Sequence, residues 1–558
     1  MHPLVAVLSV SVLAGVTAAI APISIPKSWT ARERDVAEDV TATALAAHVR
    51  FLSDDLLEGR GAGSRGDELA MKYVAAQYER LGLKPAGDDG GYLQRFDIVG
   101  LKSQVTARPV LVGPKGRLEL NPPENLIVAA GSQKDAAKLS DVEVVFAGYG
   151  ITAPEQKWDD FKDVDVRGKV LLMMNNDPEG DPALFGGKTR LYYGRWTYKY
   201  EEAARKGAAG VILIHTTPSA GYPWQVVQTS WNGEEFELPA AGEPRLQVKM
   251  WATEDAAREL TKLGGFDLDE LRKRAESREF KPVPLGVKLS VALKTQVRTQ
   301  KTANVLGVLE GADKKLSKEL VVYSAHHDHL GVKEPKNGDA IYNGALDNAS
   351  GVAALLAAAD GLAEAKPRPK RSILFAAVGV EESGLLGSAY FCQHPIVPAG
   401  RIAANINIDG INIWGRTRDV EFTGLGKSSI DSIVIAVAKA QGRTVTPDQF
   451  PDRGHFYRSD QFSFARIGVP ACYVGRGMDF VGREPGWGRK RVEEYVQTRY
   501  HQPSDQMDAS WNLEGAVDDV RLLAVVGLRV ADAPSMPSWN AGDEFEAARK
   551  RALEEVSK

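Results

Sequence analysis

The sequence predicts an α/β fold, in which a mostly parallel to mixed, doubly wound sheet carries an inserted smaller α/β unit. Three observations carry the prediction. From residue 319 onward, short continuous apolar runs alternate with helix-period segments, the pattern of parallel strands covered on both faces. Residues 136–285 repeat that pattern on a smaller scale. The chain has 558 residues, 44% hydrophobic and 25% charged, which is globular composition with room for more than one domain.

At the amino terminus, residues 4–19, LVAVLSVSVLAGVTAA, form an apolar run too short for a comfortable membrane span and ending in small residues. Residues 1–21 are therefore expected to be a cleaved signal peptide, giving a periplasmic or secreted protein with no stable membrane span. Residues 40–135 begin the main domain. There DELAMKYVAAQYERLGL has apolar residues at helical spacing, and the GRGAGSRGD before it lacks the strand context of a phosphate loop. Within 136–285, VEVVFAGYGI and KVLLMMNND read as strands, and YKYEEAARKGAAGVILIHTT as a helix running into a strand. Within 286–535 the strands are ELVVYSA, SILFAAVGV, IAANINI and VPACYV, with apolar helices between and after them. Residues 536–558 read as a charged tail or helix.

Lys and Arg number 69 against 73 Asp and Glu, so the chain lacks the basic excess of a general nucleic-acid binder. Two cysteines, Cys392 and Cys472, exclude a disulfide scaffold and a Cys-rich zinc module; they either pair or remain buried thiols.

The residues just past each apolar strand are informative, because open α/β sheets place chemistry beyond the carboxyl ends of their strands. After ELVVYSA comes His326-His327-Asp328-His329; after SILFAAVGV comes Glu381-Glu382; after IAANINI comes Asp409. Asp347 opens a helix in DNASG, and His501 lies in a late polar loop. Each residue alone is an ordinary cap, turn or surface residue. Together, two histidines and three carboxylates suit two divalent cations of the zinc type, provided one carboxylate bridges.

These residues resemble metallopeptidase family 28, the dizinc exopeptidases that include bacterial leucyl aminopeptidases and glutamate carboxypeptidase II. The motifs are AHHDHLG around His326, GALDNASG around Asp347, VGVEESGLLGS around Glu381-Glu382, NID at Asp409, and Tyr500-His501. Residues 136–285 resemble a protease-associated domain. The resemblance implies two divalent metals, Zn2+ by default, one held by His326 and Asp409, the other by Glu382 and His501, with Asp347 bridging. It implies Asp328 as the orienting partner of His326, Glu381 as general base, Tyr457 as oxyanion donor and a cis peptide after Asp347. Peptides are the expected substrates, and an exported aminopeptidase the expected activity. A carboxypeptidase or dipeptidase would instead need basic residues for a substrate carboxylate, with Arg453, Arg458, Arg476 and Arg483 as candidates. A one-metal cyclase-like transferase and a non-catalytic binding protein are the remaining alternatives.

Overall fold

Three strands, Leu320–His326, Ser372–Val378 and Ile402–Asn407, lie side by side in parallel and are buried along their whole length. Ala471–Arg476 continues the parallel set beyond Ile402–Asn407. Alternation along each strand divides their side chains between two cores. Val321, Tyr323, Ala325, Ile373 and Phe375 face helices Ser350–Glu364 and Glu514–Asp532, with helix Ala42–Leu52 packed behind. Leu320, Val322, Leu374 and Ala376 face an aromatic layer of Phe391, Phe462 and Phe464. Each buried Val, Leu, Ile or Phe among them contributes about 1.5–3 kcal/mol of transfer free energy. The Ser350–Glu364 helix sits so close to the amino-terminal helix that a Cβ on Gly361 would lie 2.2 Å from the Val36 carbonyl oxygen. The computed structural model describes residues 25–557, so the expected signal segment, residues 1–21, lies outside the described residues.

A second sheet region is formed by Leu126–Ala130, Ala136–Phe146, Val170–Met174, Gly210–His215 and Val248–Thr253. The last four run parallel where they pair with one another. Leu126–Ala130 pairs antiparallel with Val248–Thr253, so this unit's own sheet begins before residue 136, where the apolar pattern alone placed the boundary. A cross-strand partner about 120 residues away leaves no local mark in a sequence.

The two regions are joined by a ribbon rather than by loops. Strands Leu93–Gly113 and Val283–Leu309 pair antiparallel along most of their length. The 283–309 strand pairs with Ala136–Phe146 near its start and with Ser372–Val378 near its end. Its burial changes accordingly: alternating over 283–295, exposed over most of 296–301, continuous over 302–307.

Residues 536–557 do not form a free tail. Helix Glu546–Ser557 docks on the main sheet, where buried Arg549 donates to the Ile402 carbonyl at 2.9 Å. The charged face seen in the sequence is the helix's outer side. Cys392 and Cys472 are both free thiols.

Candidate active site

The predicted residues meet where the parallel strands end. His326 is the last residue of its strand, and its Nε2 lies 3.2 Å from Asp347 Oδ1 and 3.4 Å from Asp409 Oδ1. His501 Nε2 lies 3.3 Å from Asp347 Oδ2 and 3.1 Å from Glu382 Oε2. Asp347 thus turns one carboxylate oxygen to each histidine. Both Nε2 atoms are buried and lack a hydrogen-bond partner. An orphaned buried ring nitrogen facing two carboxylates is costly unless something else satisfies it. Ligands bonded tetrahedrally at 2.0–2.2 Å sit roughly 3.3–3.6 Å apart, close to the 3.1–3.4 Å between these atoms. The donor set therefore fits two cations sharing Asp347.

Local structure explains each placement. Gly344 adopts φ +56°, and a Cβ there would fall 2.5 Å from the His329 ring, so the turn into Asp347 requires glycine. The Asp347–Asn348 peptide is cis. Asn348 accepts from Gly351 N at 2.9 Å and from Gly410 N at 2.8 Å, tying the helix start to the loop after Asp409. Glu381 and Glu382 follow Val380, a buried β-branched residue at φ +57° packed with Phe96 and Ile98. Such a backbone costs about 1–3 kcal/mol and persists only where packing enforces it.

Electrostatics reinforce the cluster. Burial pushes the Asp347 carboxyl up, but His326 and His501 outweigh it and hold the group well below the usual carboxylate range. Burial alone would depress the His501 pKa, yet Glu382 and Asp347 raise it to about 9. Glu381 is pushed well up by burial and by Asp409 and Glu382, against the pull of His326.

Two expectations are altered. The Asp328 carboxylate accepts from the backbone N–H of Glu381 at 3.0 Å and of Glu382 at 3.4 Å. Its Oδ1 stands 3.8 Å from His326 Nδ1, which instead lies 3.3 Å from the Asp328 carbonyl oxygen. Asp328 thus holds the Glu-Glu turn more directly than the imidazole. Tyr457 does not aim its hydroxyl at the cluster: it donates to Glu544 at 2.5 Å, and its ring packs against Phe456 and Phe462. The docked carboxyl-terminal segment takes the hydroxyl instead.

His329 Nδ1 contacts Glu382 Oε1 at 2.6 Å, and its ring stands with Asp347 and Glu382 at the edge of the cluster, while His327 Nε2 contacts Asp67 at 3.0 Å, away from it. Sequence reasoning missed several supports. Arg60, from the Gly-rich loop, is 1% exposed and donates to the carbonyls of Leu52, His327, Asn343 and Gly344, clamping two site loops. Asp505 accepts from Asp347 N at 3.0 Å. Asp505 lies four residues after His501 in an obviously polar loop; Arg60 had no signal beyond the glycines around it.

A small pocket of about 120 Å³ adjoins Glu381 and His501 and is lined by Arg195, Arg458, Arg466 and Tyr500. Arg195 Nε is buried without a partner. Of the four arginines singled out from sequence, only Arg458 lines it; Arg453, Arg476 and Arg483 stack on Phe450, Trp414 and Trp487. A larger groove of about 1070 Å³ runs between the two units past Asp328, His329 and Glu382.

Residues 304–525 match the model of Peptidase family M28. The chain is 26% identical over 342 residues to aminopeptidase NAALADL1 of Mus musculus, covering 52% of this chain and 42% of the relative. It is 26% identical over 285 residues to the Rattus norvegicus protein of that name, covering 42% of this chain and 36% of the relative. It thus spans less than half the length of these curated relatives. Its fold is similar to that of the aminopeptidase from Aneurinibacillus sp. strain AM-1, with TM-score 0.52, 18% identity, and coverage of 90% of this chain and 97% of that one.

Proposed function

We propose that this protein, whose residues 304–525 match the model of Peptidase family M28, is a metal-dependent aminopeptidase of that family that removes amino-terminal residues from peptides. The observation that carries the reading is the Asp347 carboxylate, with its two oxygens facing His326 and His501 at 3.2 and 3.3 Å. In this reading His326 and Asp409 would hold one divalent cation, Glu382 and His501 would hold the other, and Asp347 would be shared between them. The cations, zinc by ligand type, would polarise the scissile carbonyl and anchor the substrate's free amine. Glu381 is the carboxylate left over. It takes the proton of the attacking water on its side-chain oxygen and returns it to the leaving amine. Asp328, by accepting both backbone N–H groups of the Glu-Glu turn, keeps that carboxylate over the site. The two curated relatives are named as aminopeptidases, which supports the choice of the amino end.

Residues 1–21 are proposed as an export signal, and the unit around 136–285 as a protease-associated domain that walls one side of the groove. Among the described residues, no helix is long and apolar enough to cross a membrane. A dipeptidase reading is favoured by one observation, the three arginines of the small pocket beside Glu381, which suit a substrate carboxylate.

The test is a panel of aminoacyl-anilides and amino-blocked peptides, with and without chelator, beside Glu381→Gln. We expect chelator-sensitive cleavage of free-amine substrates only, and a 10²–10⁴-fold lower kcat in the variant with metal retained. Cleavage confined to dipeptides with a free carboxylate would favour the second reading. A chain that binds no metal would end both.

A further inference from the structure

One ligand of the proposed centre is held from outside the main domain. Helix Trp224–Trp231 belongs to the inserted unit, where Val226 and Val227 are buried in its core beside Tyr222 and Trp251. Ser230, in the helix's last turn, places its Oγ 2.7 Å from His501 Nδ1. The ring nitrogen that faces Asp347 and Glu382 is the other one, Nε2.

The geometry around this contact is over-determined. Gln225 Nε2 donates to the Gln497 carbonyl at 2.6 Å, and Lys333 Nζ donates to the Thr229 carbonyl. Val496 and Tyr500 of the main domain pack against the inserted unit's core. The Tyr500 ring lies 3.9 Å from the His501 ring, centroid to centroid. His501 itself sits at φ +55°, a left-handed conformation that L side chains adopt only where surroundings enforce it.

An imidazole can offer Nε2 as an electron-pair donor only if its proton resides on Nδ1. A hydroxyl at 2.7 Å from Nδ1 accepts that proton's hydrogen bond, fixing both tautomer and ring plane. We propose that Ser230 is a positioning residue for His501, so that the cation site of Glu382 and His501 is completed by the inserted unit while that of His326 and Asp409 is not. The inference rests on the two-cation reading and adds to it a dependence of one site on a separate unit.

The test is Zn2+ titration of the metal-free full chain against a chromophoric competitor, for wild type, Ser230→Ala and Ser230→Thr. We expect wild type to bind two ions. Ser230→Ala should bind one as wild type does and the other 10–100-fold more weakly, with the threonine hydroxyl restoring it. If Ser230→Ala does not fold, Ser230→Thr against the isosteric Ser230→Val replaces it, and equal affinities in that pair overturn the proposal. Two ions bound alike by wild type and Ser230→Ala overturn this inference alone. A wild-type chain that takes up no zinc overturns the metal reading as well.

Discussion

In the main sheet, the strands ending at His326, Val378 and Asn407 are followed by His, Glu and Asp side chains whose free atoms converge. In the inserted sheet, the strands ending at Met174 and His215 also meet polar residues; Asn175 Oδ1 is buried without a partner, but the titratable groups are spoken for. Asp177 accepts from Leu191 N at 2.9 Å, and Lys199 donates to the carbonyls of Tyr149 and Asn176. His215 Nε2 meets the Tyr222 carbonyl at 3.0 Å, and burial lowers its pKa to about 4, so it is a neutral core residue. A parallel sheet offers the same edge in both places. The chemical edge differs from the structural one in that several titratable side chains converge there with ring nitrogens left wanting a partner.

The largest expected effect rests on that difference. Asp347→Asn should remove the shared ligand, so that metal content measured by elemental analysis falls and turnover drops to background. Retention of both ions with wild-type turnover would break the comparison. Next comes pH. In the metal-free site Glu382 and Asp347 hold the His501 pKa at about 9, against burial. Below that pH a cation must displace the imidazole proton, so affinity weakens as pH falls, about tenfold per unit for each proton displaced. Calorimetry in two buffers of different ionisation enthalpy should show proton release on zinc binding.

Lys199→Met probes the other edge. It removes the buried donor to the Tyr149 and Asn176 carbonyls and should cost about 1–3 kcal/mol in urea unfolding, leaving turnover per folded molecule intact. A loss of turnover at unchanged stability would mean the inserted edge also serves chemistry. The smallest effect is expected at Tyr457→Phe, which removes one hydrogen bond to Glu544, worth about 1 kcal/mol. An unchanged kcat distinguishes this from an oxyanion donor, whose loss costs about 10²–10³-fold.

The parallel core was legible because each strand is a continuous apolar run and each candidate ligand follows a strand or opens a helix. His326, Asp347, Glu381, Glu382 and Asp409 therefore announce their place in the sheet within a few residues. The supports were not legible. Arg60 reaches His327 and Asn343 from more than 250 positions away, and Ser230 reaches His501 from 271. Contacts of that range depend on how units dock, which composition and periodicity do not record. Tyr457 shows the same limit: the fate of its hydroxyl was decided by Glu544, 87 residues later.

The paired strands that carry the inserted unit also mark a seam. Ile98 and Gln300 face each other across the ribbon, at the border of its exposed stretch. A two-residue turn of Asn-Gly type could close the ribbon at that rung, converting the two strands into an ordinary hairpin. The shortened chain would keep His326, Asp347, Glu381, Glu382, Asp409 and His501 while discarding Ser230 and the far wall of the groove. The fold thus provides its own cutting line, along which the reaction centre can be parted from the unit that flanks it.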